Sequence, residues 1–519
     1  MIDLPASDVP PRERVASPKP WTVLLAKLNE RHLVLVLCCL AAIRVFVYSA
    51  AFPFFNNVDE ADHFDLVLKY SHGLVPRKLD LESIETSRYM ALYGSPEYLL
   101  KPQEFSYHFP IWAAPERTKA AMEAWVESIR TPNHESSQAP LYYAVAALWL
   151  RLGQRLGLAG GFLLYWIRFL NVFVAAALVW LGYSAARLIF PDGQFVRLGV
   201  PVLLAVLPQD IFYSIQNDVL SPLCFGIAFI ALLQWLRASV PSARLGLWTG
   251  LALAAVCLVK VSNLPLVAVA ALAVLIQTLR LAGAGRLRAA IPALTLLFIS
   301  AGLPIMCWAA WNLHNFGDLT GSGPKIEMLG WTRKPVSEWL NHPIFTPGGS
   351  WYFWSELMAS FWRGEFVWGM QGLRLPASDA FYQISSALLV GAAMVGLLPR
   401  FAPASKPQRE ALWLALCAFI SSVGYLALLS IAFDYGGAFY PSRANPYFRS
   451  GRLMAGALIP FFLVYLYGLE WVAKRLQSEW LLWWVLAGMV IVMAGSQIAL
   501  DRVAFHSQWN WFHLFGGSG

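Results

Sequence analysis

The chain has 519 residues but only 39 Lys or Arg and 31 Asp or Glu, a charged share of 13% beside a hydrophobic share of 58%. A soluble chain of this length would carry roughly 130 charges, at about a quarter of all residues. The composition therefore excludes an ordinary soluble monomer and a disordered chain, and the lack of a Gly-X-Y or heptad repeat excludes a fibre. The formal charge of +8 is no nucleic-acid signal, because the bases are dispersed among short loops, where Lys and Arg mark topology.

Residues 1–31 are polar and Pro-rich, with Arg12, Arg14, Lys19, Lys27 and Arg31, and read as a cytoplasmic tail before an uncleaved apolar anchor at 33–51. The apolar residues come in uninterrupted runs near 20 residues, which selects helices over an outer-membrane barrel. Further spans are predicted at 162–189, 195–215, 219–237, 245–263, 264–280, 290–312, 380–399, 411–433, 452–472 and 480–500. The fold class is thus an all-α polytopic membrane protein with about eleven transmembrane helices. Cys38, Cys39, Cys224, Cys257, Cys307 and Cys417 all lie inside apolar runs and read as core residues, not as disulfides or a metal site.

One stretch, 139–157, is interrupted by Arg151 and Arg155. If it does not cross, the short loops carrying Arg187 and Arg197, Arg237 and Arg244, Arg280 with Arg286 and Arg288, Arg400 with Lys406 and Arg409, and Lys474 with Arg475 are all cytoplasmic. If it crosses, all of them flip outward. The stretch is therefore read as an interfacial or re-entrant helix, with long outward segments at 52–138 and 313–379 and a shorter one at 434–451. The chain divides into a tail at 1–31, a transmembrane module at 32–472, and a last span with a short outer tail at 473–519.

Polar clusters punctuate this pattern. After the first span comes Asn56-Asn57-Val58-Asp59-Glu60-Ala61-Asp62-His63, where a helical turn would set Asp59 and His63 on one face. A carboxylate at the membrane surface, its pKa raised by low dielectric and neighbouring acids, could take a proton from a hydroxyl. A solvated helix start explains the same residues. Gln209 and Asp210, then Gln216-Asn217-Asp218, break the apolar run between two spans on the same outer side; a plain hairpin accounts for Asn217 and Asp218, less well for Asp210.

Embedded bases are more telling. Arg44, Arg168 and Lys260 fall within or near the ends of spans, and Arg443, Arg449 and Arg452 gather before the tenth. Such cations face a cavity or pair with an anion, and Arg can hold a phosphate bidentately. Ordinary pairing with Asp210 or Asp218 is the alternative. The segment 313–379 carries Trp331, Trp339, Trp351, Tyr352, Trp354, Trp362 and Trp368, which suit interfacial anchoring first and sugar stacking second. His63, His72, His108, His134, His314 and His342 show no zinc-hydrolase spacing, and no nucleotide-binding or hydrolase motif occurs in a usable context.

The acidic doublet after the first span, the Gln138-to-Tyr143 entry to an amphipathic helix and the Asn217-Asp218 hairpin resemble the GT-C superfamily of polytopic glycosyltransferases. The resemblance is closer to a bacterial family of predicted membrane proteins within it, through Asp59-Glu60-x-x-His63, Asn217-Asp218, Trp311-Asn312 with Phe316-Gly317-Asp318, Ser360-Phe361-Trp362 and Gly451-Arg452. It spans about residues 30–470. Leu453 stands where the family usually has an aromatic, and Asp62 replaces a small or apolar residue.

The resemblance implies sugar transfer from a polyprenyl-phosphate donor to an extracytoplasmic acceptor (glycan, lipid or protein) in the inner (plasma) membrane. Asp59 would be the general base, Glu60 its helper, and His63, Asp62, Asn217 and Asp218 the cavity. Lys260, Arg449, Arg452 and then Arg168 would clamp the donor phosphate. The sequence names no cofactor; a divalent cation could bind the adjacent acids, but Asp59, Glu60 and Asp62 are too few ligands to define a site. A transporter or flippase of a lipid-linked or anionic substrate, and a non-catalytic glycan-binding scaffold, are the competing readings.

Overall fold

The computed structural model describes residues 29–516 apart from 56–58, 102, 106–108, 402–403 and 439. The expected tail up to residue 28, the Asn56-Asn57-Val58 part of the acidic motif and His108 lie outside the described residues.

The first span is α1 (Glu30–Ala51), and the long segment after it holds α2 (Glu60–Ser71), α3 (Ile84–Tyr93) and α4 (Glu116–Trp125). Then come α5 (Leu141–Arg155), α6 (Gly160–Arg168), α7 (Leu170–Ile189), α8 (Gln194–Val206), α9 (Ser221–Arg237), α10 (Ala243–Val259), α11 (Leu264–Gly283) and α12 (Leu287–Phe316). The second long segment carries α13 (Gly323–Met328) and α14 (Pro347–Arg363), and the bundle ends with α15 (Pro376–Leu397), α16 (Lys406–Ala432), α17 (Leu458–Arg475) and α18 (Glu479–His506). Two antiparallel pairs of two-residue strands complete the described structure: β1 (Thr332–Arg333) with β4 (Phe433–Asp434), and β2 (Val367–Trp368) with β3 (Gln371–Gly372).

Nine segments among the described residues are long and apolar enough to cross a membrane, and the shorter apolar helices α8 and α10 occupy the other two expected positions. The protein is a multi-pass, all-α membrane protein. The apolar window of α17 is 89% buried and that of α12 only 22%, so α17 is central and α12 lies at the rim with Phe298, Leu303 and Met306 outward. The stretch around 139–157 forms α5, whose 15 residues give about 22 Å. Helix α5 packs along α2, and also meets α6 and α10.

The two short helices decide where the site lies. Helix α8 stops at Val206, nine residues before the expected end of its span, because Leu207 precedes Pro208, and a residue before Pro avoids the α region. The chain then makes two 3-10 turns, Asp210–Tyr213 and Asn217–Leu220, before α9 begins with Pro222 in its first turn. Likewise α10 ends at Val259, Lys260 is extended, and Val261–Asn263 turns into α11. A third irregular stretch, Gly451–Ala457, leads into α17 and packs against both of these turns. Non-helical backbone near membrane depth is tolerated only where it is buried in protein or lines a cavity. Three such stretches meet at one end of the bundle.

The short basic loops meet at the other end. Arg197 pairs with Glu30 at 2.9 Å, Arg237 donates to the Leu188 carbonyl at 2.8 Å, Gln277 donates to the Ala238 carbonyl at 2.8 Å, and Arg280 pairs with Glu410 at 2.9 Å. Of the tryptophans expected at the interface, Trp331, Trp339, Trp354 and Trp368 are half-buried and one is fully buried. Trp362 is buried and stacked on Tyr382, Trp331 lies against Phe433, Tyr435 and Phe448, and Trp351 is half exposed.

Candidate active site

Asp59 caps α2 in the left-handed region, φ 60° and ψ 18°, a conformation that Asp tolerates better than most residues and that costs some strain. This turn points the carboxylate out of the helix, so Asp59 Oδ2 meets Arg452 Nη2 at 3.1 Å and Oδ1 meets His134 Nε2 at 3.3 Å. Arg452 is the hub of the site. Besides Asp59 it reaches Asp218 Oδ2 at 3.8 Å, Glu365 Oε2 at 3.8 Å and Gln216 Oε1 at 3.4 Å. Asp218 Oδ2 also holds Lys260 Nζ at 2.5 Å. Four of the residues expected from sequence, Asp59, Asp218, Lys260 and Arg452, thus form one connected chain of alternating charge.

Gly451 makes that placement possible. A Cβ there would stand 2.1 Å from the Phe361 nitrogen, and the Gly451 N–H donates to Ser360 Oγ at 2.8 Å. The Ser360-Phe361 and Gly451-Arg452 motifs are therefore two halves of one close backbone contact that aims Arg452 at Asp59. Asp318 of the Phe316-Gly317-Asp318 motif instead closes its own loop, accepting from the Thr320, Ser322 and Gly323 backbone N–H groups.

Glu60 and Arg168 belong elsewhere. The Arg168 Nε donates to Glu60 Oε1 at 2.7 Å and Nη2 to Oε2 at 2.6 Å, with both side chains fully buried. Glu60 also accepts from the Ile215 and Phe55 N–H groups, and Arg168 donates to the carbonyls of Ser49, Phe52 and Pro53. This saturated pair fastens the end of α1, the start of α2 and the turn after α8, so neither residue is placed to help a base or to clamp a phosphate. Arg449 is also diverted: its guanidinium pairs with Glu356 at 2.8 Å and donates to the Tyr352 hydroxyl. His63 is buried, with Nδ1 2.7 Å from the Tyr143 hydroxyl of α5, and burial lowers its pKa to about 4. It joins α2 to α5 as a neutral ring, within reach of the charges of Glu135 and Asp59. Asn217 donates to Gln138 Oε1 at 3.1 Å and to the Val259 carbonyl, beside the site.

The expected raised pKa falls on a different carboxyl group. Burial would raise Asp59, but the His134 hydrogen bond and the Arg452 charge outweigh it and hold Asp59 well below the usual carboxylate range. Asp62 is the raised one: burial pushes it up to about 8, with Glu135 and Asp59 adding repulsion against the attraction of His134. His134 spans the two acids, with Nδ1 3.2 Å from Asp62 Oδ2. Burial would lower its pKa, and the Asp59 hydrogen bond and Glu135 charge reverse this and raise it.

His134, Glu135, Lys325 and Glu365 are the members that sequence reasoning missed. Glu135 is paired with Lys325 of α13 and accepts from Gln138. Each sits in a long polar segment between spans, where charge is unremarkable; the only available signal for Glu135 was its place three residues before the Gln138 motif. Asp59, His134 and Glu135 offer ligand atoms within 4.8 Å of one another, the donor set of a cation site. Arg452 and Lys325 already neutralise the two carboxylates, which leaves little net negative charge to hold a divalent ion. The residues present fit a charge-balanced cluster better than a divalent ion. Asp218 Oδ1 and Asn217 Oδ1 are buried and accept no hydrogen bond among the described residues.

Residues 43–355, more than half of the chain, match the model of the family described as "Predicted membrane protein (DUF2142)". The chain belongs to that family. The matched region includes Asp59, His134, Asp218 and Lys260 but stops short of Arg452. No curated protein matches the sequence. Among solved structures, the chain is similar to the apo oligosaccharyltransferase of Archaeoglobus fulgidus, with 11% identity, a TM-score of 0.42 and 93% of this chain covered. It spans 57% of that protein's chain. A second similar structure is apo ArnT from Cupriavidus metallidurans, with 14% identity, a TM-score of 0.30, and 85% of this chain and 77% of that one covered.

Proposed function

We propose that the protein is a membrane glycosyltransferase that moves a sugar from a polyprenyl-phosphate donor to a hydroxyl acceptor at the extracytoplasmic face. The observation that carries this reading is the shared contact of Arg452 with Asp59 and Asp218, which sets a part-exposed carboxylate beside two cations at the blunt ends of short membrane helices. The motif resemblance to the GT-C superfamily points the same way. The donor is a lipid, so the bundle needs no nucleotide-binding domain.

In the proposed step the acceptor oxygen attacks the anomeric carbon, its proton passes to Asp59, and the bond from that carbon to the phosphate oxygen breaks. The leaving polyprenyl phosphate takes up the charge opposite Arg452 and Lys260. Asp59 is a weak base while Arg452 holds it. A donor phosphate competes for the same guanidinium, and drawing Arg452 away raises the affinity of Asp59 for a proton when substrate is present. The unpartnered oxygens of Asn217 and Asp218 are acceptors of the kind that sugar hydroxyls satisfy.

Two of the three embedded bases speak against a transport path. Arg168 is held by Glu60 and three carbonyls, and Arg44 donates to the Ala205 carbonyl, Tyr213 and Gln497. Both groups are committed to fixed partners.

The test is purified protein in liposomes containing polyprenyl phosphates charged with a panel of radiolabelled sugars, supplied with envelope extract as acceptor. Release of polyprenyl phosphate with label entering the acceptor is expected from the wild type, and a loss of about 10²–10⁴ in rate from Asp59→Asn. Movement of intact donor across the bilayer without release would overturn transfer in favour of transport.

A further inference from the structure

At the bundle end opposite Asp59 lies a cavity of about 910 Å³, framed by the last turns of α7, α9 and α11 and the first turn of α16. Its distance from the proposed active site is set by the helices themselves. Helix α9 starts beside Asp218 and ends at Arg237, and α11 starts beside Lys260 and carries Arg280 in its last turn. Seventeen residues of α9 place the two ends about 25 Å apart. Nothing in the proposed transfer step uses this cavity.

Arg237, Arg280, Arg286 and Lys406 line it, against Asp192 and Glu410. Their commitments differ. Arg280 is bound bidentately by Glu410 at 2.9 and 3.2 Å, so that charge is already answered. Arg237 donates to a neutral carbonyl, that of Leu188, and has no carboxylate partner among the described residues. Arg286 and Lys406 have no ion pair among the described residues. Three cations from three elements thus face one cavity with Asp192 as the remaining opposing charge. The deeper wall is apolar, built from Leu188, Ile189, Leu236 and Leu281 where the helices enter the bundle.

A polar mouth of unanswered cations above an apolar wall, at the level where helices leave the membrane, matches one chemical class: a phosphate on a hydrophobic body. Basic pockets between helix ends bind anionic headgroups in this way, and Arg supplies the fork that suits phosphate oxygens. We propose that this cavity binds the phosphate of an anionic phospholipid, with Arg237, Arg286 and Lys406 on the phosphate and the apolar wall against the first acyl carbons. The proposal is independent of the transferase reading, because it concerns the other end of the bundle.

Dispersed charge at this face would also attract anionic lipid, so the test needs a matched control. Full-length protein in detergent is titrated with mixed micelles of phosphatidylglycerol or phosphatidylcholine, and bound lipid is counted by native mass spectrometry. The wild type should retain phosphatidylglycerol over phosphatidylcholine. The triple variant Arg237→Gln, Arg286→Gln, Lys406→Gln should lose that preference, by about fivefold per base removed. The control variant Arg187→Gln, Arg244→Gln, Arg288→Gln removes equal charge outside the cavity lining and should keep it. Equal losses in both variants, or none in the first, would overturn the site. A parallel titration with glycerol 3-phosphate separates the sources: saturable binding lost only in the cavity variant, with no lipid preference, would overturn the lipid in favour of a soluble phosphate ligand.

Discussion

Two arginine–carboxylate pairs sit one residue apart in the acidic doublet and behave as opposites. Glu60 with Arg168 is dry and saturated: every carboxylate oxygen has two donors, and the guanidinium is spent on Glu60 and backbone carbonyls. Asp59 with Arg452 is partly exposed, at 27% and 16%, and the arginine is shared among Asp59, Asp218 and Glu365 at 3.1–3.8 Å. A saturated pair can only hold structure, because any ligand must first replace bonds that are already good. A shared, loosely held arginine can change partners at little cost, which is what a substrate phosphate requires.

Breaking the first pair gives the largest expected effect. Arg168→Met leaves Glu60 charged and buried without its partner, a loss of about 3–5 kcal/mol. The expected outcome is failure to accumulate folded protein, read as loss of the monodisperse peak from detergent extracts. Arg168→Met combined with Glu60→Leu removes both charges and should recover part of that protein. An abundant, well-folded single variant would mean that the pair does not fasten α1 to α2.

The second pair is tested by Arg452→Lys, which keeps the charge but loses the fork that reaches three carboxylates. Transfer should fall on the order of tenfold to a hundredfold, mostly through a higher KM for the donor, with the unfolding midpoint little changed. A loss confined to kcat would argue that Arg452 does not meet the donor phosphate.

Gly451→Ala acts on the same arginine through the backbone. The added Cβ meets the Phe361 nitrogen at 2.1 Å, so α14 and the turn before α17 must separate, at about 1–3 kcal/mol. Stability and transfer should fall together, unlike in Arg452→Lys.

These comparisons also show what the sequence could reveal. The spans were legible because 20-residue apolar runs have few alternatives, and α5 stood apart from them through Arg151 and Arg155, which interrupt its apolar run. Asp59, Asp218, Lys260 and Arg452 were found as rare charges at span ends. The roles of Glu60 and Arg168 were not legible, since the difference between a clamp and a staple is a count of hydrogen bonds to carbonyls such as Pro53 and Phe52, which no side-chain pattern records. His134 and Glu135 stayed hidden for another reason. They lie more than seventy residues from Asp59 in a polar segment, and only the fold of α2 against α5 brings them to it.

The smallest effect comes from proton binding around Asp59, and it separates that residue from its neighbour Asp62. Asp62 has a pKa raised to about 8 by burial, against an ordinary value of about 3.9, so the folded protein binds that proton more tightly than the unfolded chain. Its contribution is complete below about pH 4 and declines as pH rises towards 8. His134, also raised, adds stability that is fully present below its unfolded value of about 6.5 and is lost as pH climbs through its folded value. Asp59 is depressed, so its contribution is present above about pH 3.9 and is lost only in acid, below any of these steps. Between pH 6 and 9 the cluster should therefore weaken through Asp62 and His134 while Asp59 stays ionised. Unfolding midpoints in detergent should fall across that range in the wild type and fall less in Asp62→Asn, which has no proton to lose. Parallel slopes in the two proteins would show that the proton is not held at Asp62, and that the division of labour between Asp59 and Asp62 has been drawn in the wrong place.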